Sequence, residues 1–492
     1  MAKDNLKNKA VKGVGWTTTE MVLRYGVSFI VGIILARMLS PDEYGLIGIL
    51  TIFITIFEVI VDSGFANALI RKHDATEVDY CTVFYTNSML SILMSVIMFA
   101  GAGLISDFFK REELVSLTRA ISPIIIINAL AIVQRVRLTK RIDFKSQAIV
   151  TLISSVGSGI VGISMAAMNL GVWALVGQQL SNAGLTTILL WIVNRWLPGF
   201  LFSWKSFQEM WAFGWKLMAG AVLNTISGEI FSAVIGKIYT PATLGQYGRA
   251  RQFGSLFSSN ISNVVGKVTY PVLCSINNDM ERLKSSYRRL ITTSVLPTFI
   301  LMLGLCAMSK PLLLLLIGPK WDDAVVILQI LCFGMMLNPL QRLNINAVNV
   351  VGRSDLNLRI NIIKNLLNIF PILAGIFMGI YWMLMTLVVK NFFCYYLNTY
   401  YSGPLLNYSI MEQIKDITPS FLIAVGTALP VYLMGFLPFN TLALFPFQIL
   451  IWTILVLVTL EKTKLPEYIE LRGIVMSKVM KIMFRGGFKN KA

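Results

Sequence analysis

An all-helical, multi-span membrane protein is the fold class that three features of this 492-residue chain predict. Hydrophobic residues make up 55% of it and charged residues only 14%, where soluble globular chains carry about a quarter charged residues. Mean hydropathy is +0.69. Apolar runs of about 20 residues, the length a helix needs to cross a bilayer, recur along most of the chain. These values exclude a water-soluble enzyme and a disordered chain. The net charge of +18 would suggest nucleic acid in a soluble protein. In a membrane protein it belongs to cytoplasmic loops, so no nucleic-acid partner is expected.

The candidate spans, about fourteen, are taken in order. Span one, 15–38, follows a polar, basic start (Met1 to Lys12) and is long enough to be retained as a helix. Span two, 45–67, opens after Pro41, and spans three and four cover 81–105 and 115–134. Spans five to seven cover 147–168, 172–193 and 212–236. Span eight, 246–272, is the most polar, with Arg249, Arg251 and Lys267, and must face protein or water. Spans nine to fourteen cover 290–309, 323–341, 360–379, 381–400, 417–435 and 441–460. The run Leu312 to Ile317 is too short to cross and reads as an interfacial or re-entrant turn.

Lys and Arg fix the orientation. With the N-terminus inside, 29 of the 43 fall in cytoplasmic segments and 5 outside, so both termini are placed in the cytoplasm. The external loops are short, which leaves no room for an extracytoplasmic catalytic domain.

A repeat is visible at a spacing of 200 residues. Ala36-Arg37-Met38-Leu39-Ser40-Pro41-Asp42-Glu43-Tyr44-Gly45 is matched by Gly236-Lys237-Ile238-Tyr239-Thr240-Pro241-Ala242-Thr243-Leu244-Gly245, with the basic, hydroxyl, Pro and Gly positions in register. Gly15-Trp16 is echoed by Gly214-Trp215, and Gly171-Val172-Trp173 by Gly379-Ile380-Tyr381-Trp382. The copies start at spans one and seven. An even number of spans separates them, so the halves share one orientation, the parallel-repeat arrangement of many transporters. The expected organisation is therefore a six-helix lobe over 1–200, a second over 201–402, two further spans over 403–461 and a basic cytoplasmic tail over 462–492.

Several segments together resemble a known family. They are Ala36 to Gly45, Asp62-Ser63-Gly64-Phe65-Ala66-Asn67-Ala68-Leu69-Ile70 and Gly171-Val172-Trp173-Ala174-Leu175-Val176. The resemblance is to the Wzx-type polysaccharide flippases of the MOP superfamily, nearest the colanic-acid and teichuronic-acid export branch, and it covers most of residues 10–400. It implies two six-helix lobes in a V around a cationic central cavity. It also implies translocation of an undecaprenyl-pyrophosphate-linked oligosaccharide from the cytoplasmic to the outer leaflet of a bacterial inner membrane, for exopolysaccharide, O-antigen or capsule biosynthesis. Membrane lipids and the polysaccharide polymerase machinery are the partners it implies. Two lobes in one chain make a monomer sufficient.

Charges inside the spans are the candidate site residues, because each costs at least about 2.5–3.5 kcal/mol at the bilayer centre unless paired or hydrated. Glu20 and Arg24 stand at i,i+4 on span one, and Glu58 and Asp62 at i,i+4 on span two. Antiparallel packing brings Arg24 and Glu58 to a common depth of about 13 Å. One Arg cannot neutralise three carboxylates, so this cluster is a candidate for H⁺ or Na⁺ coupling, with a structural ion pair as the alternative. Glu229, in the outer half of span seven, is a candidate to complement a cavity cation or a donor on span one. Arg24, Lys267 and Lys390, with Arg249, Arg251 and Arg119, are the candidate ligands of a diphosphate, for which Arg adds bidentate geometry; external interface charges are the alternative for Arg249 and Arg251.

The remaining motifs read as packing or anchoring. Trp191, Trp196, Trp204, Trp211 and Trp215 form an interfacial belt, with stacking on sugars as the alternative. Gly157, Gly159 and Gly162, and Gly101 and Gly103, permit close helix contacts. The stretch from Val475 to Lys491 is an amphipathic helix on anionic lipid. Five scattered Cys without a C-x-x-C and a single histidine, His73, offer no metal site or cofactor. No P-loop occurs, and no nucleophile–base set fits one pocket, so an enzyme is not expected. A multidrug or cation antiporter would want more carboxylates. A lipid-linked sugar polymerase or ligase would want a large external loop.

Overall fold

The structure is a computed structural model that describes residues 26–276, 279–437 and 441–473. It is helical, with no strand among the described residues. The chain divides into two compact units, Met1–Gly248 and Arg249–Ala492.

In the first unit α1 (Gly26–Met38) leads to α2 (Pro41–Asp62), α3 (Phe65–Arg71), α4 (Glu77–Ala100), α5 (Ala102–Phe109) and α6 (Glu113–Ile121). There follow α7 (Ile124–Lys140), α8 (Phe144–Ala167), α9 (Trp173–Asn194) and α10 (Trp204–Ile238). The long α11 (Pro241–Ser275) passes from the first unit into the second. The second unit continues with α12 (Met280–Ala307), α13 (Ser309–Ile317), α14 (Asp322–Met335), α15 (Asn338–Val350), α16 (Ser354–Leu366) and α17 (Ile369–Met378). It ends in α18 (Ile380–Leu405), α19 (Ile410–Met434) and α20 (Thr441–Thr463).

Eleven helical stretches among the described residues are long and apolar enough to cross a membrane. α9 and α11 supply the expected spans six and eight but are more polar, and only Gly26–Met38 of span one is described. The outward faces confirm the solvent. Met89, Ile92, Val96 and Phe99 lie exposed along α4, and Phe370, Phe377 and Leu373 along α17. Apolar surface on this scale belongs against lipid. Leu312 to Ile317 forms the end of the short helix α13 rather than a turn. Leu313 is buried, and Gly318, with φ 95°, ends the helix.

The repeated motif is a helix start used twice. Before α2, Ser40 Oγ accepts from Glu43 N at 3.4 Å and Glu43 Oε2 accepts from Ser40 N at 2.6 Å, with Pro41 at the first helical position. Before α11, Thr240 Oγ1 accepts from Thr243 N at 3.2 Å. Such caps satisfy the donors a helix leaves open. The glycine of each copy faces the proline of the other. A Cβ on Gly45 would stand 1.8 Å from the Pro241 carbonyl oxygen, and one on Gly245 would stand 2.0 Å from that of Pro41.

α10 runs antiparallel along α2, so the repeat boundary expected at 200/201 lies ahead of a helix that packs with the first unit. At the far end of this seam a Cβ on Gly214 would meet the Ser63 carbonyl oxygen at 2.6 Å, and one on Gly64 (φ 69°) the Gly214 carbonyl oxygen at the same distance. Lys72 reinforces that end, with Nζ 3.0 Å from Asp79 Oδ1 and 3.2 Å from Glu209 Oε2. Burial alone would lower Lys72. Its hydrogen bonds to Asp79 and Glu209 outweigh this and hold it above the ordinary value of 10.5. The link is therefore fully present below that value and lost as pH rises through the raised one.

Gly157, Gly159 and Gly162 admit Leu185, Val31 and Gln178 closely, as expected, whereas Gly103 has nothing within 4 Å. Trp191 and Trp196 depart from the expected belt. Trp196 is 8% exposed and donates to Glu77 Oε2 at 2.7 Å, and Trp191 donates to the Leu130 carbonyl at 3.0 Å. Both join the core of Phe65, Leu69, Phe84, Val133 and Met210. Trp204, Trp211 and Trp215 do lie exposed. A belt and a core look alike in sequence because both take Trp beside polar partners.

Gly214→Val should destabilise the purified protein by about 1–3 kcal/mol through overpacking. Gly220→Ala, with open space around it, should be neutral or stabilising by up to about 1 kcal/mol. Thermal unfolding in detergent measures both.

Candidate functional site

Between its two glycine contacts the α2–α10 seam opens into a cavity of about 480 Å³. Thr55, Glu58, Asp62 and Asn67 line it from α2 and α3, and Thr225 and Glu229 from α10. The spacing 55, 58, 62 places these α2 side chains on one face. Glu229, which the sequence put on a separate helix with a separate role, thus shares a chamber with Glu58 and Asp62. No Lys or Arg lines it among the described residues.

The two carboxylates of α2 are held differently. Glu58 Oε1 accepts from Asn128 Nδ2 of α7 at 2.5 Å. Asp62 Oδ1 is buried with no hydrogen-bond partner among the described residues. A buried carboxylate oxygen left open in this way is costly unless a proton, cation or water occupies it.

Glu58 also lines a second cavity, of about 440 Å³, inside the first bundle. There it faces amides, Asn128 from α7 and Gln178, Gln179 and Asn182 from α9, together with hydroxyls such as Thr51 and Ser158. Asn182 Nδ2 donates to Ser158 Oγ at 3.0 Å, joining α9 to α8. Glu58 therefore stands between two polar chambers. The amides went unread in the sequence, although Gln178, Gln179 and Asn182 within an otherwise apolar span were the available signal.

The other expected residues are dispersed. Glu20 and Arg24 lie outside the described residues, as does the proposed tail helix from Val475 to Lys491. Arg119 sits exposed on α6 over the Phe99 ring at 5.4 Å and lines neither cavity. In the second unit, Arg249 is 8% exposed, donates to Gln252 Oε1 at 2.5 Å and lies over Trp321 at 5.9 Å. It is thus a core residue rather than an interface charge. Arg251 is half-buried beside it on α11. Lys267 lies on α11, and its side chain is outside the described residues. Lys390 of α18 donates to Asn368 Oδ1 at 3.0 Å.

Two helical bundles with lipid-facing surfaces, an internal repeat and polar chambers at membrane depth define a polytopic membrane protein of the transporter class. Residues 34–326 match the family described as polysaccharide biosynthesis protein, and the chain belongs to that family. It is 25% identical over 355 residues to the teichuronic acid biosynthesis protein TuaB of Bacillus subtilis, covering 72% of this chain and 73% of that one. It is 24% identical over 374 residues to the lipopolysaccharide biosynthesis protein WzxC of Escherichia coli, covering 75% and 76%. A third relative is the succinoglycan biosynthesis transport protein ExoT of Rhizobium meliloti, 26% identical over 65% of each chain. The resemblance to Wzx-type flippases is borne out. The fold is that of the lipid II flippase MurJ in its inward closed conformation, with TM-score 0.73 and 15% identity over 90% of this chain and 97% of that one. An inward-facing multidrug-resistance MATE transporter of the MOP superfamily matches with TM-score 0.62 and 14% identity, over 78% and 94%.

Cysteine placed at Thr225 should react with a water-soluble maleimide in a background lacking the five native cysteines, whereas cysteine at the fully buried Leu50 should not. Equal protection of both would mean that the seam is dry.

Proposed function

We propose that the chain is a flippase. It carries an undecaprenyl-pyrophosphate-linked oligosaccharide from the cytoplasmic to the outer leaflet of the bacterial inner membrane, with both termini in the cytoplasm. The observation that carries this reading is family membership joined to the fold: relatives named for teichuronic acid, lipopolysaccharide and succinoglycan biosynthesis match about two thirds to three quarters of the chain, and a lipid II flippase shares its fold.

The mechanism we propose is alternating access by rocking of residues 1–200 against 201–402. Gly45 and Gly245, each seated on the proline of the other copy, close the extracytoplasmic end. That contact must part for release. Arg24, Lys267 and Lys390 hold the pyrophosphate. Net export requires different affinities in the inward and outward states. Glu58, Asp62 and Glu229 supply the difference by taking up and releasing H⁺ or Na⁺, which Asp62 Oδ1, without a hydrogen-bond partner among the described residues, supports.

A cation or drug antiporter is the second reading. The acidic chamber and the fold shared with MATE transporters favour it. The polysaccharide biosynthesis family weighs against it.

Cells lacking the chain should accumulate the lipid-linked oligosaccharide, measured by mass spectrometry of extracted lipids. Normal export without accumulation would contradict the flippase reading. Glu58→Gln and Asp62→Asn should each lower export by about tenfold, within the usual range of coupling free energies, and flatten its dependence on the coupling ion. Unchanged rate and ion dependence in both would remove the coupling.

A further inference from the structure

The inner chamber of the first unit has a lining that ion coupling does not explain. Asn128 of α7 and Gln178, Gln179 and Asn182 of α9 face Glu58 across about 440 Å³, with hydroxyls of α2 and α8 among them. Gln178 lies about 8 Å and Asn182 about 14 Å along α9 from Trp173. The amides therefore stand inside the span and not at its rim.

Four amides at that depth need partners, because an unpaired amide away from water is costly. Helix-to-helix bonding accounts for part of two of them. Asn182 Nδ2 donates to Ser158 Oγ at 3.0 Å, and Asn128 Nδ2 donates to Glu58 Oε1 at 2.5 Å. Each bond uses a donor and leaves the amide oxygen as an acceptor. The side chains of Gln178 and Gln179 make no hydrogen bond to another described residue. Their donors and acceptors find partners only in the chamber.

Size and chemistry narrow the occupant. One water takes about 30 Å³, so the chamber is far larger than a bridging water needs, and it falls within the range of about 300–1,000 Å³ of small-molecule sites. A dehydrated metal cation wants oxygens closing to about 2.0–2.6 Å around it, and amide N–H groups repel it. A drug-like guest wants aromatic walls, and no aromatic residue lines the chamber among the described residues. A phosphate wants Arg or Lys. Neither lines it among the described residues, and Glu58 repels an anion. A neutral ring bearing several hydroxyls fits, since each hydroxyl both donates and accepts. Val31, Ile54 and Ile124 offer apolar wall to its C–H face.

We propose that this chamber seats a neutral sugar residue of the carried oligosaccharide. Gln178, Gln179 and Asn182 bond its hydroxyls, and the second oxygen of Glu58 accepts from one of them. Thr55 and Glu58 line the seam cavity as well, so the sugar touches the carboxylate that also faces the acidic chamber. The proposal rests on the flippase reading for the source of the sugar. It adds where the glycan is recognised and by which side chains, which neither family membership nor fold assigns.

The test uses the full chain in lipid nanodiscs. Its probes are the lipid-linked oligosaccharide purified from cells lacking the chain, undecaprenyl pyrophosphate, and the free oligosaccharide released by mild acid. Gln178→Leu and Gln179→Leu each weaken binding of the lipid-linked oligosaccharide by about five- to tenfold, as loss of one or two neutral hydrogen bonds requires, and leave binding of undecaprenyl pyrophosphate unchanged. A second readout does not depend on those variants folding. A single cysteine at Ser155, in a background lacking the five native cysteines, reacts with a water-soluble maleimide. The lipid-linked oligosaccharide protects it and undecaprenyl pyrophosphate does not. The free oligosaccharide protects it only at about tenfold higher concentration or more, because the lipid anchor raises the local concentration of the sugar. Equal protection by the two lipids, or Gln variants that bind the lipid-linked oligosaccharide as the wild type does, overturns the sugar seat and leaves the flippase reading intact. Protection by the free oligosaccharide at the same concentration as the lipid-linked form overturns a lipid-linked sugar as the occupant. Failure of the wild type to bind the lipid-linked oligosaccharide overturns both readings.

Discussion

The close packing of α2 against α10 is the constraint on which the first unit depends. Backbone meets backbone where Gly64, just beyond α2, faces Gly214 of α10 and where Gly45 of α2 faces Pro241 at the start of α11, and no side chain fits at either point. Those contacts fix the register of the two helices. Register in turn decides that Thr225 and Glu229 look onto Thr55, Glu58 and Asp62 rather than onto lipid. Large side chains at the glycines would separate the helices and let the three carboxylates part, so packing and electrostatics share one cause here.

The two units differ in their described polar interiors. The first gathers Glu58, Asp62 and Glu229 with Asn128 and the amides of α9. The second joins Lys390 to Asn368 and links Asn349, Asn357 and Asn361 through amide hydrogen bonds. Under the proposed function the acidic chamber suits a small cation, and Lys390 an anionic lipid head.

Much of this was legible in the sequence, and the reasons for the remainder are physical. Spans were readable because bilayer crossing demands long apolar runs, and the repeat because the cap, proline and glycine of a helix start must stand at fixed offsets. Glu58 and Asp62 stood out as charges in apolar runs. Their partnership with Glu229 did not, since it depends on the register of two helices that are about 150 residues apart in sequence. Trp191 and Trp196 misled because hydrogen bonding to Leu130 and Glu77 turns belt-like residues inward.

The central claim is that the closed end of the seam, where α2 meets the start of α11, must part for a lipid-linked sugar to cross. Gly48 and Leu244 lie against each other there, with a Cβ on Gly48 3.3 Å from the Leu244 side chain. The decisive measurement is leaflet translocation of a labelled polyprenyl-diphosphate sugar by vesicles containing the Gly48→Cys/Leu244→Cys protein, before and after oxidation. The account predicts that the disulfide stops translocation and that reduction restores it. Undiminished translocation by fully cross-linked protein would contradict it.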